Sequence, residues 1–335
     1  MTYKWFIDVS HWQAPFTRAQ ISELVANGMV GMAIKGGQGV SAEDDMAEEH
    51  VAVCKETNVP FIIYHWADPI LPSAPQARFA IALAKKFGAR GICPDIEQYW
   101  KNWQEWYNVV VLHKPGTVST FSQEQLLRFY TNYLRELNTI NRQETKLPVM
   151  AYSAKWFIDA YCRALAPIIR DMTDDYWNAA YQKWHQLDQD LKVSWDELHS
   201  TLSDIVLPPT LIPNGISRWS AWQFAILPMR GWPALDCDVI TEEASAKYFG
   251  TEPIVIPPEE PPLEPTTLQM EVVCDTLNVR DGPSANAQDI GDLHRGDVVN
   301  VINIFGANAW IEFEPGKFCC VNGTKDRYME RKASA

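Results

Sequence analysis

Between residues 5 and 153 the chain alternates strand-like and helix-like segments, and this alternation limits the fold more than any other feature. Apolar runs at 5–10 (WFIDVS), 31–37 (GMAIKGG), 61–66 (FIIYHW), 91–96 (GICPDI) and 147–153 (LPVMAYS) read as short strands. Residues 17–28 (TRAQISELVANG) read as a helix stopped by Gly28. Residues 41–56 read as a second helix opened by a Ser41–Asp44 capping box, and 73–88 as a third. A long helix begins near Ser122, with Gln125 at its capping-box position. Further short runs follow at 177–181, 218–224 and 235–240, with weaker helical segments between them. Eight strands in about 250 residues is the size of a β/α barrel. An open doubly wound sheet is the alternative, but it would more often show a Gly-rich phosphate loop after the first strand, where this chain has DVSHWQ.

The strand at 91–96 carries Asp95, and Glu97 follows two residues later. Side chains at i and i+2 share one face of a strand, so two like charges are brought together beside Ile92 and Ile96. Such a pair resists burial unless it has a task. Barrel enzymes place their chemistry at the C-terminal ends of strands. Those ends supply Asp8, Lys35, Tyr64, Trp66, Asp95, Glu97, Tyr152, Tyr181, Gln223 and Asp236. Repulsion between neighbouring carboxylates raises one pKa and leaves an acid that keeps its proton near neutrality. Glycoside hydrolysis requires one protonated and one ionised carboxyl. Taken singly, each residue has an ordinary reading: Asp8 as a turn acid or helix cap, Lys35 as a surface charge, Gln223 as a partner for backbone groups. His11 and His65 flank aromatic residues, but there is no H-E-x-x-H array, no G-x-S-x-G and no catalytic cysteine signature. No metal and no cofactor are expected.

Proline and glutamate dominate residues 251–267 (TEPIVIPPEEPPLEPTT), which read as a semi-rigid linker. The expected domains are therefore 1–250, the linker 251–267, and 268–335. The last of these holds β-type runs broken by Gly, Pro and Asp, and reads as a small all-β barrel. It carries seven basic and ten acidic residues, and the whole chain has a net charge of −13. Nucleic acid is excluded as a partner on that ground, and attachment to an anionic surface must come from specific contacts. The seven cysteines are odd in number and lack zinc spacing, which suggests a chain made in a reducing cytoplasm. The N-terminal MTYKWFIDVSHWQ has neither the apolar core nor the cleavage site of a signal peptide, and no run is long enough to span a membrane. Membrane insertion is not expected. Segments 98–121 and 182–217 are long for connections at a barrel mouth. In the first, Trp100, Trp103 and Trp106 recur every three residues, the pattern of one apolar helix face. The alternative is a set of stacking platforms for distal sugars.

The blocks FIDVSHWQ, AIKGGQG, FIIYHWADP, PDIE, MAYS, WNAAY, WSAWQF and LDCDVI occur in the order seen in glycoside hydrolase family 25. Residues 3–250 thus resemble the phage- and bacterial-type lysozymes (N-acetylmuramidases) of that family. The resemblance implies a modified β/α barrel that hydrolyses the β-1,4 bond between N-acetylmuramic acid and N-acetylglucosamine. It implies Glu97 as general acid, and Asp95 as stabiliser of the positively charged intermediate or as the group that orients the substrate's 2-acetamido group. Asp8 and Asp236 would complete the acidic cleft, with Lys35, Tyr64, Trp66, Tyr152, Tyr181 and Gln223 binding sugar. The family often has Asp or Ser after W-Q-Y, whereas Ala225 follows WQF here. Residues 269–330, with LNVRDGPS at 277–284, are similar to bacterial SH3-like domains, which implies a wall-binding module. The expectation is an endolysin-type peptidoglycan hydrolase, made without a signal peptide and released to the wall through a holin. The alternatives are a phage-particle component, a wall-binding protein without activity, and a hydrolase of another acetamido-sugar polymer.

Overall fold

The strand-forming runs of the first 250 residues close on themselves. The computed structural model describes residues 3–181, 193–227, 235–258, 268–305, 310–321 and 327–331. It contains two compact units, Met1–Pro257 and Pro258–Ala335. The strands of the first barrel are β1 (Tyr3–Val9), β2 (Met29–Gln38), β3 (Phe61–Trp66), β4 (Ile92–Asp95), β5 (Met150–Ala154), β6 (Asp175–Ala179), β7 (Ala221–Leu227) and β8 (Leu235–Thr241). Neighbours from β1 to β7 are parallel. β8 runs antiparallel between β7 and β1 and completes the ring. The doubly wound alternative is thereby excluded. The reversed β8 is the modification of the barrel: an antiparallel neighbour can follow without a crossover helix.

Alternation sends one side chain per strand into a shared interior layer: Phe6, Ala33, Ile62, Cys93, Met150, Trp177, Ala221 and Ile240. The rings of Phe6 and Trp177 meet at 5.3 Å, and small residues on neighbouring strands make room for them. Helix Glu242–Tyr248 adds Tyr248 and the following Phe249 to this cluster. The packing needs bare backbone opposite the rings. A Cβ at Gly31 would lie 2.2 Å from the Phe249 ring, and one at Gly91 would lie 2.6 Å from Tyr248.

Outward-facing Ile7, Ile34, Ile63 and Ile92 meet helices Arg18–Ala26, Ser73–Phe87 and Gln123–Glu144. Capping boxes open the first and last of these, through Thr17 with Gln20 and Ser122 with Gln125. The Ser41–Asp44 box does not form. Ala42–Glu43 instead folds back as a two-residue strand on Gly37 and Gln38, and the helix starts at Ala47. Pairing of this backbone with the end of β2 outweighs the local cap, and Asp44 turns inward to meet His11 Nδ1 at 2.7 Å. The strands expected at 177–181 and 218–224 lie at 175–179 and 221–227.

The beginning of the proline-rich stretch lies along the barrel unit. Ile254 and Ile256 pack on its core, Asn58 Nδ2 donates to Val255 O at 3.2 Å, and Arg18 donates to Pro257 O. Residues 259–267 fall outside the described residues, as do 182–192 of the second long connection. In the second unit, Gln269–Val272 pairs with Val298–Asn300 and Met329–Arg331. A five-stranded sheet holds Asp289–His294, Thr276–Arg280, Lys317–Cys320, Trp310–Glu314 and Asn303–Phe305 in that order. Met270, Val272, Leu277, Val299, Ile311, Cys319 and Met329 form its small core. Among the described residues, no helix is long and apolar enough to cross a membrane.

Candidate active site

Moving two residues along six of the seven parallel strands from the apolar interior layer gives Asp8, Lys35, Tyr64, Asp95, Tyr152 and Gln223, so the period of the strands itself stacks a polar layer on an apolar one, with Ala179 of β6 the exception. Glu97 lies a further two residues beyond Asp95. All ten residues named from the strand ends line one cavity of about 160 Å³, together with Ser10, Trp12 and Trp177. Asp236 reaches it by a different route from the one expected. Because β8 is reversed, its N-terminal end is at the mouth.

The cavity wall is fixed by directed hydrogen bonds. Gln223 Oε1 accepts from the Tyr152 and Tyr181 hydroxyls, both at 2.7 Å, and its Nε2 donates to Asp8 Oδ2 at 2.7 Å. These partners determine the amide orientation, since only the nitrogen can donate to the carboxylate. Trp66 Nε1 donates to Gln98 Oε1 at 2.9 Å, and Lys35 Nζ sits 5.3 Å from the Trp66 ring centroid. The Lys35 ammonium also donates to Gln38 Oε1 at 3.1 Å. His65 is used structurally. Its Nε2 faces the Gly39 carbonyl and its Nδ1 the Tyr133 hydroxyl, both at 2.9 Å, and burial lowers its pKa to about 4. A carbonyl can only accept, so the neutral ring carries its hydrogen on Nε2.

Several carboxyls face one ammonium in this cavity, and they cannot all be charged. Burial raises Glu97 to about 7, with Lys35 opposing and Asp8 assisting the rise. Burial and then the Glu97 charge push Asp95 well above the usual carboxylate range, against Lys35. Burial raises Asp8 to about 6, while hydrogen bonds from Asp238 and Gln223 hold it down. Asp236 is raised by burial and by the charges of Asp8 and Glu97. Burial lowers the Lys35 pKa, and Asp95 is its strongest electrostatic support. The cleft therefore stores protons on Asp95 and Glu97 near neutrality, as acid catalysis at that pH requires.

The family model for glycosyl hydrolases family 25 matches residues 7–226, about two thirds of the chain. The chain belongs to glycosyl hydrolases family 25. The fold is similar to that of a muramidase from Trichobolus zukalii, with 17% identity, a TM-score of 0.51, and 74% of this chain and 100% of that one covered. It is also similar to that of the bacterial lysozyme from Streptomyces coelicolor, with 15% identity, a TM-score of 0.50, and coverage of 74% and 98%. No curated protein matches the chain.

This family 25 glycoside hydrolase holds one acid that the strand-end rule misses. Asp238 is fully buried, accepts from Trp177 Nε1 at 2.8 Å through Oδ1, and is hydrogen bonded to Asp8. Its Oδ2 finds no donor among the described residues. A proton on Asp238 resolves both facts, with the acid donating to the Asp8 carboxylate. The signal was present in LDCDVI, where Asp236 and Asp238 share a face, but a rule that looks only at strand ends stops at the first. Asp238→Asn keeps an acceptor for Trp177 and an N–H for Asp8, so it should retain activity within about threefold, less than the cost of one ordinary hydrogen bond. Asp238→Leu leaves the indole N–H without its acceptor and Asp8 with the Gln223 amide but no donor from β8, and should cost about 1–3 kcal/mol in denaturant unfolding. Equal behaviour of the two variants would remove the shared proton from this account. Trp12, 80% exposed at the rim, and the buried Ser10 and Trp177 were also not singled out from sequence.

Proposed function

We propose that this enzyme hydrolyses the glycan strands of bacterial peptidoglycan at the β-1,4 bond between N-acetylmuramic acid and N-acetylglucosamine. The observation that carries the reading is the Asp95/Glu97 pair beside Lys35 in a narrow cleft walled by Tyr64, Trp66, Tyr152 and Tyr181. The family membership and the muramidase and lysozyme names of its structural neighbours support it. Glu97 gives its proton to the glycosidic oxygen as the C1–O bond breaks. The carbonyl oxygen of the substrate's 2-acetamido group attacks C1 and takes up the positive charge as a cyclic cation. Water then opens that ring, and the Glu97 carboxylate recovers a proton from it. Asp95 Oδ1 is buried with no donor among the described residues, and the acetamido N–H would supply one. That bond favours the Asp95 carboxylate and leaves the proton of the pair on Glu97.

The second unit is proposed as an SH3-like wall-binding module. Its all-β build and the 277–284 motif support this, and with a net charge of −3 it would bind by shape and hydrogen bonding rather than bulk attraction. Tethering to the wall raises the effective substrate concentration at the cleft. Release to the wall as a phage endolysin is the setting proposed.

The test is digestion of purified peptidoglycan, followed by borohydride reduction and mass spectrometry. New muramitol ends are expected. N-Acetylglucosaminitol ends would move the cut to the other linkage, and no ends from folded protein would sink the reading. Removing residues 268–335 should weaken sedimentation with walls more than cleavage of short soluble fragments.

A further inference from the structure

The tryptophans of segment 98–121 do not form one helix face. Trp100 precedes the short helix Trp103–Trp106 and bridges Thr120 instead. The segment leaves and re-enters the barrel through a small ladder: Lys101 N donates to Ser119 O at 2.8 Å, and Phe121 N to Tyr99 O at 2.9 Å. Glu105 pins it further by accepting from Ser119 N at 2.9 Å. On this frame the indoles stack on one another. Trp100 and Trp106 are 4.5 Å apart at 24°, and Trp106 and Trp103 are 4.9 Å apart at 26°. Trp100 also packs against Trp66, with centroids 6.0 Å apart. Trp66 is a wall of the catalytic cavity. An unbroken run of indoles thus leads from the cleft to Trp103, whose surface is 54% exposed. Tyr107 and Val111 continue the apolar surface beyond it, at 37% and 43% exposure.

A loop that served only as a connection would gain little from a large indole held in water. Trp100, 4% exposed, serves as the buried foundation, and Trp106 is held between it and Trp103 by stacking on both. Rigid stacking fixes the outer ring in advance, so little side-chain entropy is lost when something covers it. A pyranose suits it, because its C–H face is apolar and its hydroxyls stay at the edge in water, much as aromatic rings bury one face and leave a wet rim. Continuity with the cleft selects the occupant.

We infer that Trp103, backed by Trp106 and Trp100, is a distal subsite for the same glycan strand, binding sugar rings outside those that flank the scissile bond. The inference rests on the glycan-cleaving function proposed above. It predicts a dependence on chain length. In the full-length protein, Trp103→Ala should lower kcat/KM on long peptide-free peptidoglycan strands about three- to tenfold, the range of one aromatic stacking contact. The same variant should cleave a peptidoglycan tetrasaccharide at the wild-type rate, and Trp103→Phe should restore most of the loss on long strands. Equal loss on both substrates, or no loss on either, overturns the subsite while leaving the function intact. A change in sedimentation mass for Trp103→Ala without any length dependence would make the patch an interface between copies and also overturns it. Failure of the wild type to cut either substrate would instead remove the underlying function.

Discussion

Glu97→Gln should lower glycan cleavage by about two to four orders of magnitude, the usual contribution of a positioned general acid. Glutamine keeps the size and most of the hydrogen-bonding capacity of the side chain but has no transferable proton. Binding to walls should persist. In the wild type, cleavage should fall as pH rises through about 7, where Glu97 gives up its proton. Stability should show the opposite benefit of substitution. A carboxyl whose folded pKa is raised binds more protons in the folded state than in the unfolded state, so its contribution weakens as pH climbs from the ordinary carboxylate range to about 7. The amide has no such cost. Thermal unfolding of Glu97→Gln should therefore occur above that of the wild type at pH 8, and the two should converge near pH 4. Lytic activity close to wild type would remove Glu97 from its role.

Asp95→Asn should lower cleavage by about two to three orders of magnitude, the scale on which a preorganised electrostatic partner of the transition state acts. The more informative readout is the alkaline limb of the residual activity. If the working enzyme carries Asp95 as a carboxylate, its charge holds the Glu97 proton in place. Asparagine removes that charge and leaves the lowering effect of Lys35 on Glu97 opposed by Asp8 but no longer by Asp95. The limb should then move to lower pH. An unmoved limb would mean that Asp95 stays neutral throughout the cycle, as burial favours. It would also require another group to orient the acetamido nitrogen.

These predictions rest on residues legible before any coordinates. Asp8, Asp95, Glu97 and Gln223 could be named because a barrel places strand ends at one mouth, and because the period of two keeps Asp95 and Glu97 on one face. A local rule also gave the Ser122–Gln125 helix start, where hydroxyl and amide lie within a single turn and need no distant partner. The same kind of rule failed at Ser41, where strand pairing with Gly37 and Gln38 displaced a cap that only neighbours in sequence would favour. It failed again at Trp100, whose spacing from Trp103 and Trp106 fits a helix, but whose backbone is held by Thr120, twenty residues away.

By itself the sequence determined the alternation of elements and the carboxylate pair, because each depends on periodicity or composition within a short window. Only the tertiary structure decided that β8 turns back to close the barrel, that Asp238 meets Asp8 beneath Asp236, and that the indoles of segment 98–121 stack outward from Trp66. Each of these joins residues far apart in the chain. Their contact energy depends on which strands become neighbours, and that is settled by how the whole barrel buries its apolar faces.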